Sequence, residues 1–315
     1  MTENAAAPTD LLIEKLLSGD RLALARAITA VENEGAEGAA IMRGIRGHLG
    51  HALTVGFTGP PGAGKSTLVN AFVQQQRARG HTVGVIAVDP SSPITGGAIL
   101  GDRIRMTGHS NDMDVFVRSL ASRGHLGGLS RTAVKVLDVM DAAKKDVIVI
   151  ETVGAGQSEV EIAGVADVKI VVAAPGLGDD VQAIKAGILE IADILVVNKG
   201  DHPLASQTVR HLRTMTGFRT DGDEVPVLRT TALTGEGLDR LADTVAELGE
   251  RGRADAPVKR LKLLLGRVAM DICERKLQTG DPALTDALAD AVATGDADLD
   301  QAAEKLLMAV LERLK

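Results

Sequence analysis

The chain has 315 residues, 45% of them hydrophobic and 24% charged, which is the composition of a globular protein with a sizeable core and excludes a disordered or fibrous chain. At roughly 150 residues per domain this length suits about two domains, or one large α/β unit with attached helices. A net charge of -7 and only four Phe, with no Tyr and no Trp, argue against nucleic acid as a partner, because a phosphate backbone calls for a basic surface and single-stranded bases call for aromatic platforms.

The first residues, Met1 to Asp10, hold no basic stretch followed by an apolar run, so no secretory signal is read there. From Asp10 to Leu49 the spacing of Leu12, Leu16, Leu22, Leu24, Ala27 and Ile28, broken at Ser18-Gly19-Asp20, predicts an N-terminal helical segment over residues 1–50. From Leu53 the texture changes to short β-branched runs between helical patterns: Leu53–Thr58, Thr82–Val88, Val115–Val117, Val147–Ile150, Val168–Ala173, Ile194–Val197 and Val225–Leu228. Continuous apolar strands separated by helices indicate a sheet covered on both faces. Residues 51–250 are therefore expected to form a doubly wound, mostly parallel α/β domain.

After Gly249 the strand signals stop, and Arg251 to Pro257 reads as a polar link. Beyond it, Leu261, Leu264, Leu265, Val268 and Ile272, then Leu299, Ala302, Leu306, Val310 and Leu314, recur at helical spacing and predict a helical arm over 251–315. Its apolar stripe can be buried against its own domain or in a subunit contact. The one cysteine, Cys273, excludes an intramolecular disulfide and a multi-thiolate metal site, reads as a small core residue, and suits the reducing cytoplasm. No run approaches the ~18 apolar residues of a membrane-spanning helix, and none repeats with a period of 20–50 residues.

Gly59-Pro60-Pro61-Gly62-Ala63-Gly64-Lys65-Ser66-Thr67 follows the strand Leu53–Thr58 and opens a helix expected from Thr67 to Arg79, which is G-x-x-x-x-G-K-[ST] in its required context. The glycines let backbone N–H groups turn inward around phosphate oxygens, the helix N-terminus adds partial positive charge, and Lys65 supplies a full one. Gly62, Ala63, Gly64, Lys65, Ser66 and Thr67 are the predicted phosphate-binding residues, with the Ser66 hydroxyl offered to Mg²⁺. Carboxylates at the C-terminal ends of parallel strands face the ligand crevice, which makes Asp89 and Glu151 candidate magnesium acids. Asp102, in a glycine-punctuated loop, is a third. In Glu151-Thr152-Val153-Gly154 the spacing lets Gly154 offer its N–H to a γ-phosphate.

Asn198-Lys199-Gly200-Asp201 follows the strand Ile194–Val197 and fits N-K-x-D. Asp201 can accept hydrogen bonds from the N1–H and N2–H₂ of guanine, Asn198 can donate to O6 or N7, and the stem of Lys199 can lie across the ring. Adenine has no N1–H, so it would leave the acid without its partner, and GTP is favoured over ATP. Thr231-Ala232-Leu233 takes the place of backbone support for the guanine O6.

On these motifs, together with Ala87 to Met106, Arg118 to Gly128, Glu151 to Glu159 and Pro175 to Gly187, the chain resembles the methylmalonyl-CoA mutase-associated GTPases of the MeaB/ArgK type. The resemblance implies a GTP-hydrolysing chaperone that gates delivery of adenosylcobalamin to an acyl-CoA mutase and protects that enzyme, with the cofactor reached only through the mutase. It implies that Lys65, Ser66, Asp89, Asp102 and Glu151 serve phosphate and magnesium, and that Asp179 and Lys185, in an additional switch segment, couple the partner to the nucleotide. A homodimer is implied as well. No residue is an obvious orienter of the attacking water, though Gln157 is a candidate, so slow intrinsic hydrolysis raised by the mutase is expected. Rival readings are a nickel-enzyme maturation GTPase, which would normally carry a His-rich tail or a Cys-His cluster; a P-loop small-molecule kinase, which would need an acceptor pocket; and a scaffold that binds GTP without hydrolysing it.

Overall fold

The apolar runs become seven parallel strands in the computed structural model, which describes residues 8–89, 112–121, 131–152, 164–176, 190–216, 225–252, 256–278 and 280–312. The strands are β1 (Leu53–Thr58), β2 (Val83–Asp89), β3 (Val115–Ala121), β4 (Val147–Thr152), β5 (Val168–Ala173), β6 (Ile194–Val197) and β7 (Val227–Arg229). They lie in the order β3-β2-β4-β1-β5-β6-β7. Val55 of β1 stands opposite Val149 of β4 on one side and Val168 of β5 on the other, so the first strand occupies the centre of the sheet.

The doubly wound parallel sheet expected from the sequence is therefore present, with helices on both faces. Alternation along each strand divides the core. Val55, Phe57, Val149, Ile170 and Val172 pack against α4 (Lys65–Ala78) and α7 (Leu238–Gly252). Val171, Ala173, Leu195, Val197 and Val227 pack on the other face with Ala205 and Leu212 of α6 (Ala205–Thr216). Strand β3 runs four residues beyond its apolar run, because the ladder with β2 continues from Ile86 opposite Arg118 to Asp89 opposite Ala121, whatever the side chains are. Helix α4 begins at Lys65, two residues before the expected start, since Gly64 takes the N-cap in the left-handed region at φ 82°.

The N-terminal residues form α1 (Pro8–Leu17), α2 (Arg21–Glu32) and α3 (Ala36–Gly44), with Leu16, Leu24, Ile28, Val31 and Ile41 buried. The break at Ser18-Gly19-Asp20 has a local cause: the Asp20 carboxylate accepts from the Ala23 N–H at 2.7 Å and starts α2. Helix α2 reaches β3, the edge strand, through side chains at its two ends. Arg21 donates to the carbonyls of Met113 (3.0 Å) and Val115 (2.6 Å) and stacks over Phe116, while Glu32 at the other end of the helix pairs with Arg118. The first carbonyl of the edge strand, that of Val115, is thereby occupied. The opposite edge, β7, has three residues.

Below the N-terminal end of β1, on α5 (Arg131–Ala142), Asp141 accepts from the backbone N–H groups of Gly50 (2.6 Å), His51 (3.0 Å) and Ala52 (2.9 Å). Arg260, 2% exposed, approaches Asp141 at 3.5 Å and Asp138 at 3.4 Å. Burial pushes the Asp138 carboxyl up to about 6, against the pull of Arg260, with the negative charge of Asp141 adding to the rise and Arg46 opposing it. An unfolded Asp titrates near 3.9, so as pH rises from about 4 to 6 the unfolded chain releases this proton first. Stability from this group is complete below that window and lost above it. Asp138→Asn is expected to remove about 2 kcal/mol of the fall in stability between pH 4 and 6.5, measured as melting temperature against pH. A variant profile that parallels the wild type would refute this assignment.

The chain divides into two compact units, residues 1–260 and 261–315. The last helices are α8 (Ala256–Gln278), α9 (Pro282–Thr294) and α10 (Leu299–Glu312). Within the second unit α9 and α10 pack together and bury Ala302 and Val310, while Leu265, Met270, Leu299 and Met308 are exposed. Cys273 is half-buried on α8 and so is not the core residue expected. No helix among the described residues is long and apolar enough to cross a membrane.

Candidate functional site

Strand β1 ends between β4 and β5, where chain connections leave the sheet in opposite directions, and in such sheets ligands bind at the C-terminal ends of the strands at this point. The turn that leaves β1 can be made only without side chains. A Cβ on Gly59, at φ 140°, would stand 2.1 Å from the Val172 carbonyl oxygen, and one on Gly64 would stand 2.6 Å from Asn198 Nδ2. These glycines press the loop against β5 and the end of β6. Gly62 and Thr67 are exposed, Ala63 is buried, and the N-terminus of α4 is directed at the loop.

Lys65 is 8% exposed and folds back over its own loop, donating from Nζ to the carbonyls of Gly59 (2.7 Å) and Pro60 (3.0 Å). An ammonium held by neutral carbonyls can exchange them for phosphate oxygens. Ser66 Oγ donates to Glu151 Oε1 at 2.5 Å, joining the start of α4 to the end of β4, and Glu151 is 1% exposed. A hydroxyl and a buried carboxylate meeting beside a phosphate-type loop form an oxygen donor set for a hard divalent cation, so the residues fit magnesium. Among the described residues no cluster of three His, Cys, Asp or Glu side chains is present. Asp89 closes β2, but its side chain lies outside the described residues, as do Asp102, Gly154, Gln157, Asp179 and Lys185.

Asn198, 2% exposed, makes contacts within the protein in addition to the base contact expected of it. Its Nδ2 donates to the carbonyls of Ala63 (3.1 Å) and Gly64 (3.3 Å), and its Oδ1 accepts from Ala232 N (3.2 Å) and Thr230 Oγ1 (3.4 Å). Only this orientation of the amide matches two carbonyls with nitrogen and two donors with oxygen. The side chain is a brace between the phosphate loop and the chain after β7. Lys199, at φ 56°, and Asp201 are exposed on the adjoining turn, which the Gly200 N–H ties to the Thr230 carbonyl at 2.8 Å. Thr231 is buried and bridges to Glu236, Ala232 faces Asn198, and Leu233 stands 87% exposed.

Gly200 is crowded: a Cβ there would meet Arg229 Cγ at 2.8 Å and the Thr230 carbonyl at 3.0 Å. Sequence reasoning missed Thr230 and Glu236, which fix the Thr231–Ala232 turn. The repeated Thr before Ala232 and the glycines at 235 and 237 were the available signal.

Residues 24–277 match the family described as methylmalonyl Co-A mutase-associated GTPase MeaB. The chain is 49% identical over 245 residues to a protein of Pyrococcus horikoshii named as a GTPase, with 76% of this chain and 77% of that one covered. It is 41% identical over 239 residues to the GTPase ArgK of Escherichia coli, covering 73% and 72%. A crystal structure described as LAO/AO transport system kinase superposes with a TM-score of 0.74 at 26% identity, covering 97% of this chain and 98% of the other. The strand-loop-helix cradle, its lysine and its brace to the N-K-x-D turn thus sit in a fold and a sequence that agree with one another, and the chain belongs to the MeaB family of GTP-hydrolysing P-loop proteins.

Proposed function

We propose that this chain hydrolyses GTP in the crevice at the end of β1 and uses the cycle to chaperone an adenosylcobalamin-dependent acyl-CoA mutase, methylmalonyl-CoA mutase foremost, gating cofactor loading and protecting the loaded enzyme. The observation that carries the nucleotide part is the Asn198 brace, because its hydrogen bonds tie the N-K-x-D turn to the loop from Gly59 to Thr67. The mutase part is supported by the family's description.

In this reading Lys65, the α4 N-terminus and the N–H groups of residues 62–67 stabilise charge on the phosphate oxygens and on the leaving diphosphate. Ser66 and Glu151, with Asp89 and Asp102, hold Mg²⁺, which supplies further neutralisation when bound. Gly154 addresses the γ-phosphate, and Asp179 and Lys185 couple the mutase to the nucleotide. Asp201 accepts from guanine N1–H and N2–H₂, Lys199 lies along the ring, and Thr231, Ala232 and Leu233 flank O6. The exposed Leu265, Met270, Leu299 and Met308 support a homodimer formed through the C-terminal helical arm, and the reading places the protein in the cytoplasm.

Calorimetry with Mg²⁺ is expected to give binding of GTP and GDP at least tenfold tighter than of ATP and ADP. Phosphate release from GTP is expected to be slow for the chain alone and to rise at least tenfold with purified mutase. Label from γ-labelled GTP is expected only in inorganic phosphate. Equal affinity for adenosine nucleotides removes the nucleotide reading, unchanged turnover with the mutase removes the partner reading, and label on an added small molecule shows a kinase.

A further inference from the structure

We infer that His202 is a positioning residue that carries the seating of guanine from the N-K-x-D turn to the phosphate cradle, acting through its ring on Gly176 and thence through β5. The turn is firmly built. His202 N donates to the Lys199 carbonyl at 3.0 Å, Ala205 N donates to the His202 carbonyl at 2.9 Å, and Leu204 N donates to His202 Nδ1 at 3.2 Å. The last bond fixes the imidazole, and in the neutral ring it places the proton on Nε2. The ring then lies over the backbone of Gly176. A Cβ on Gly176, which sits at φ 89°, would stand 3.2 Å from Cε1 and 3.4 Å from Nε2, so the imidazole takes up the space that a side chain would need.

The same short tract of chain after β5 is gripped at its other end. Asn198 N donates to the Ala173 carbonyl at 2.9 Å, so residues 173–176 are held between the first residue of the base motif and the residue that follows Asp201. One residue earlier, the Val172 carbonyl stands against Gly59, the first residue of the phosphate loop. A purine that draws on Asp201 pulls on its neighbour His202. The ring transmits that pull to Gly176, and the end of β5 transmits it to Gly59. His202 touches no reacting atom in this scheme, and its effect falls on the geometry that stabilises charge on the phosphates. The expected signature is a change in kcat with little change in KM.

This inference rests on the GTPase reading, and two substitutions separate the ring from the cap. His202→Asn keeps a side-chain acceptor for Leu204 N–H but withdraws the ring from Gly176. His202→Phe keeps a flat ring there and loses the acceptor. Steady-state GTP hydrolysis by the full chain is expected to show His202→Asn at least fivefold lower in kcat with KM within twofold of wild type, and His202→Phe within twofold in both. Full activity of His202→Asn, an equal loss in both variants, or a change confined to KM overturns the proposal and leaves His202 as a local cap.

Gly176→Ala gives an independent reading by pressing a Cβ on the ring. It is expected to lower kcat as well, and its loss is expected to be smaller in a His202→Ala background, where that Cβ has room. Strictly additive losses overturn the coupling. If the wild-type chain shows no preference for GTP over ATP, the GTPase reading itself fails; if it shows that preference and the variants behave as wild type, only the role of His202 fails.

Discussion

Replacing Lys65 by alanine is expected to lower GTP turnover about a thousandfold while the fold persists. The ammonium is already aimed into the loop, since it bonds to the Gly59 and Pro60 carbonyls at 2.7 and 3.0 Å and is almost wholly buried. A charge held beside the loop in this way is at hand when negative charge builds on the leaving diphosphate, and removal of one such donor typically costs 2.7–4 kcal/mol, which is about 10²–10³ in rate. Alanine is a good helix former at the first position of α4, so the helix itself is retained. Arginine is not expected to restore activity, because its broad planar fork does not fit where a compact ammonium is buried between two carbonyls. Phosphate release, with melting curves as the folding control, decides the matter. Turnover of a well-folded Lys65→Ala within tenfold of wild type would remove Lys65 from the catalytic account.

The second large effect is expected at Asp201, where asparagine should weaken GTP at least a hundredfold and shift preference toward xanthosine triphosphate. The carboxylate only accepts, which matches the N1–H and N2–H₂ of guanine. The amide of asparagine turns a donor toward one of these donors and leaves a polar group unpaired. Xanthine carries a carbonyl oxygen in place of the 2-amino group, so the same amide finds an acceptor there. Sites that lose a specific hydrogen-bonding match reject the mismatched ligand far more strongly than sites that lose a methylene. Because Asp201 is exposed on a turn fixed by Gly200 and Lys199, the substitution leaves the fold intact. Competition calorimetry with the two nucleotides gives the result, and an unchanged ranking of GTP over its xanthine analogue would show that Asp201 does not read the base.

Much of this architecture was legible because its signals are local. The alternation of apolar strands with helical patterns gave the parallel sheet, and the loop from Gly59 to Thr67 announced a strand, a turn and a helix within a few residues. What sequence could not show depends on contacts between distant segments. Asn198 reads as a base donor from its own motif, which gives no sign that its amide also bonds to carbonyls at positions 63 and 64 and to donors at 230 and 232. The crowding at Gly200 comes from Arg229 and Thr230 across a strand pair, and the extension of β3 to Ala121 comes from β2. Asp138 has the look of a surface helical acid until Arg260, more than a hundred residues later, closes over it.

The N-terminal helices also do something that a motif search would pass over. With Arg21 bonded to the carbonyl of Val115 in β3 and to that of Met113 just before it, and Glu32 bonded to Arg118, part of the outermost strand's flank is closed to a neighbouring molecule. A shortened version of the protein beginning at the first strand would keep the whole nucleotide crevice and yet bare that flank, inviting one sheet to continue into the next. The helical lead-in is thus expected to guard the sheet's edge, and a chain trimmed to its recognisable motifs is expected to aggregate more readily than the full one.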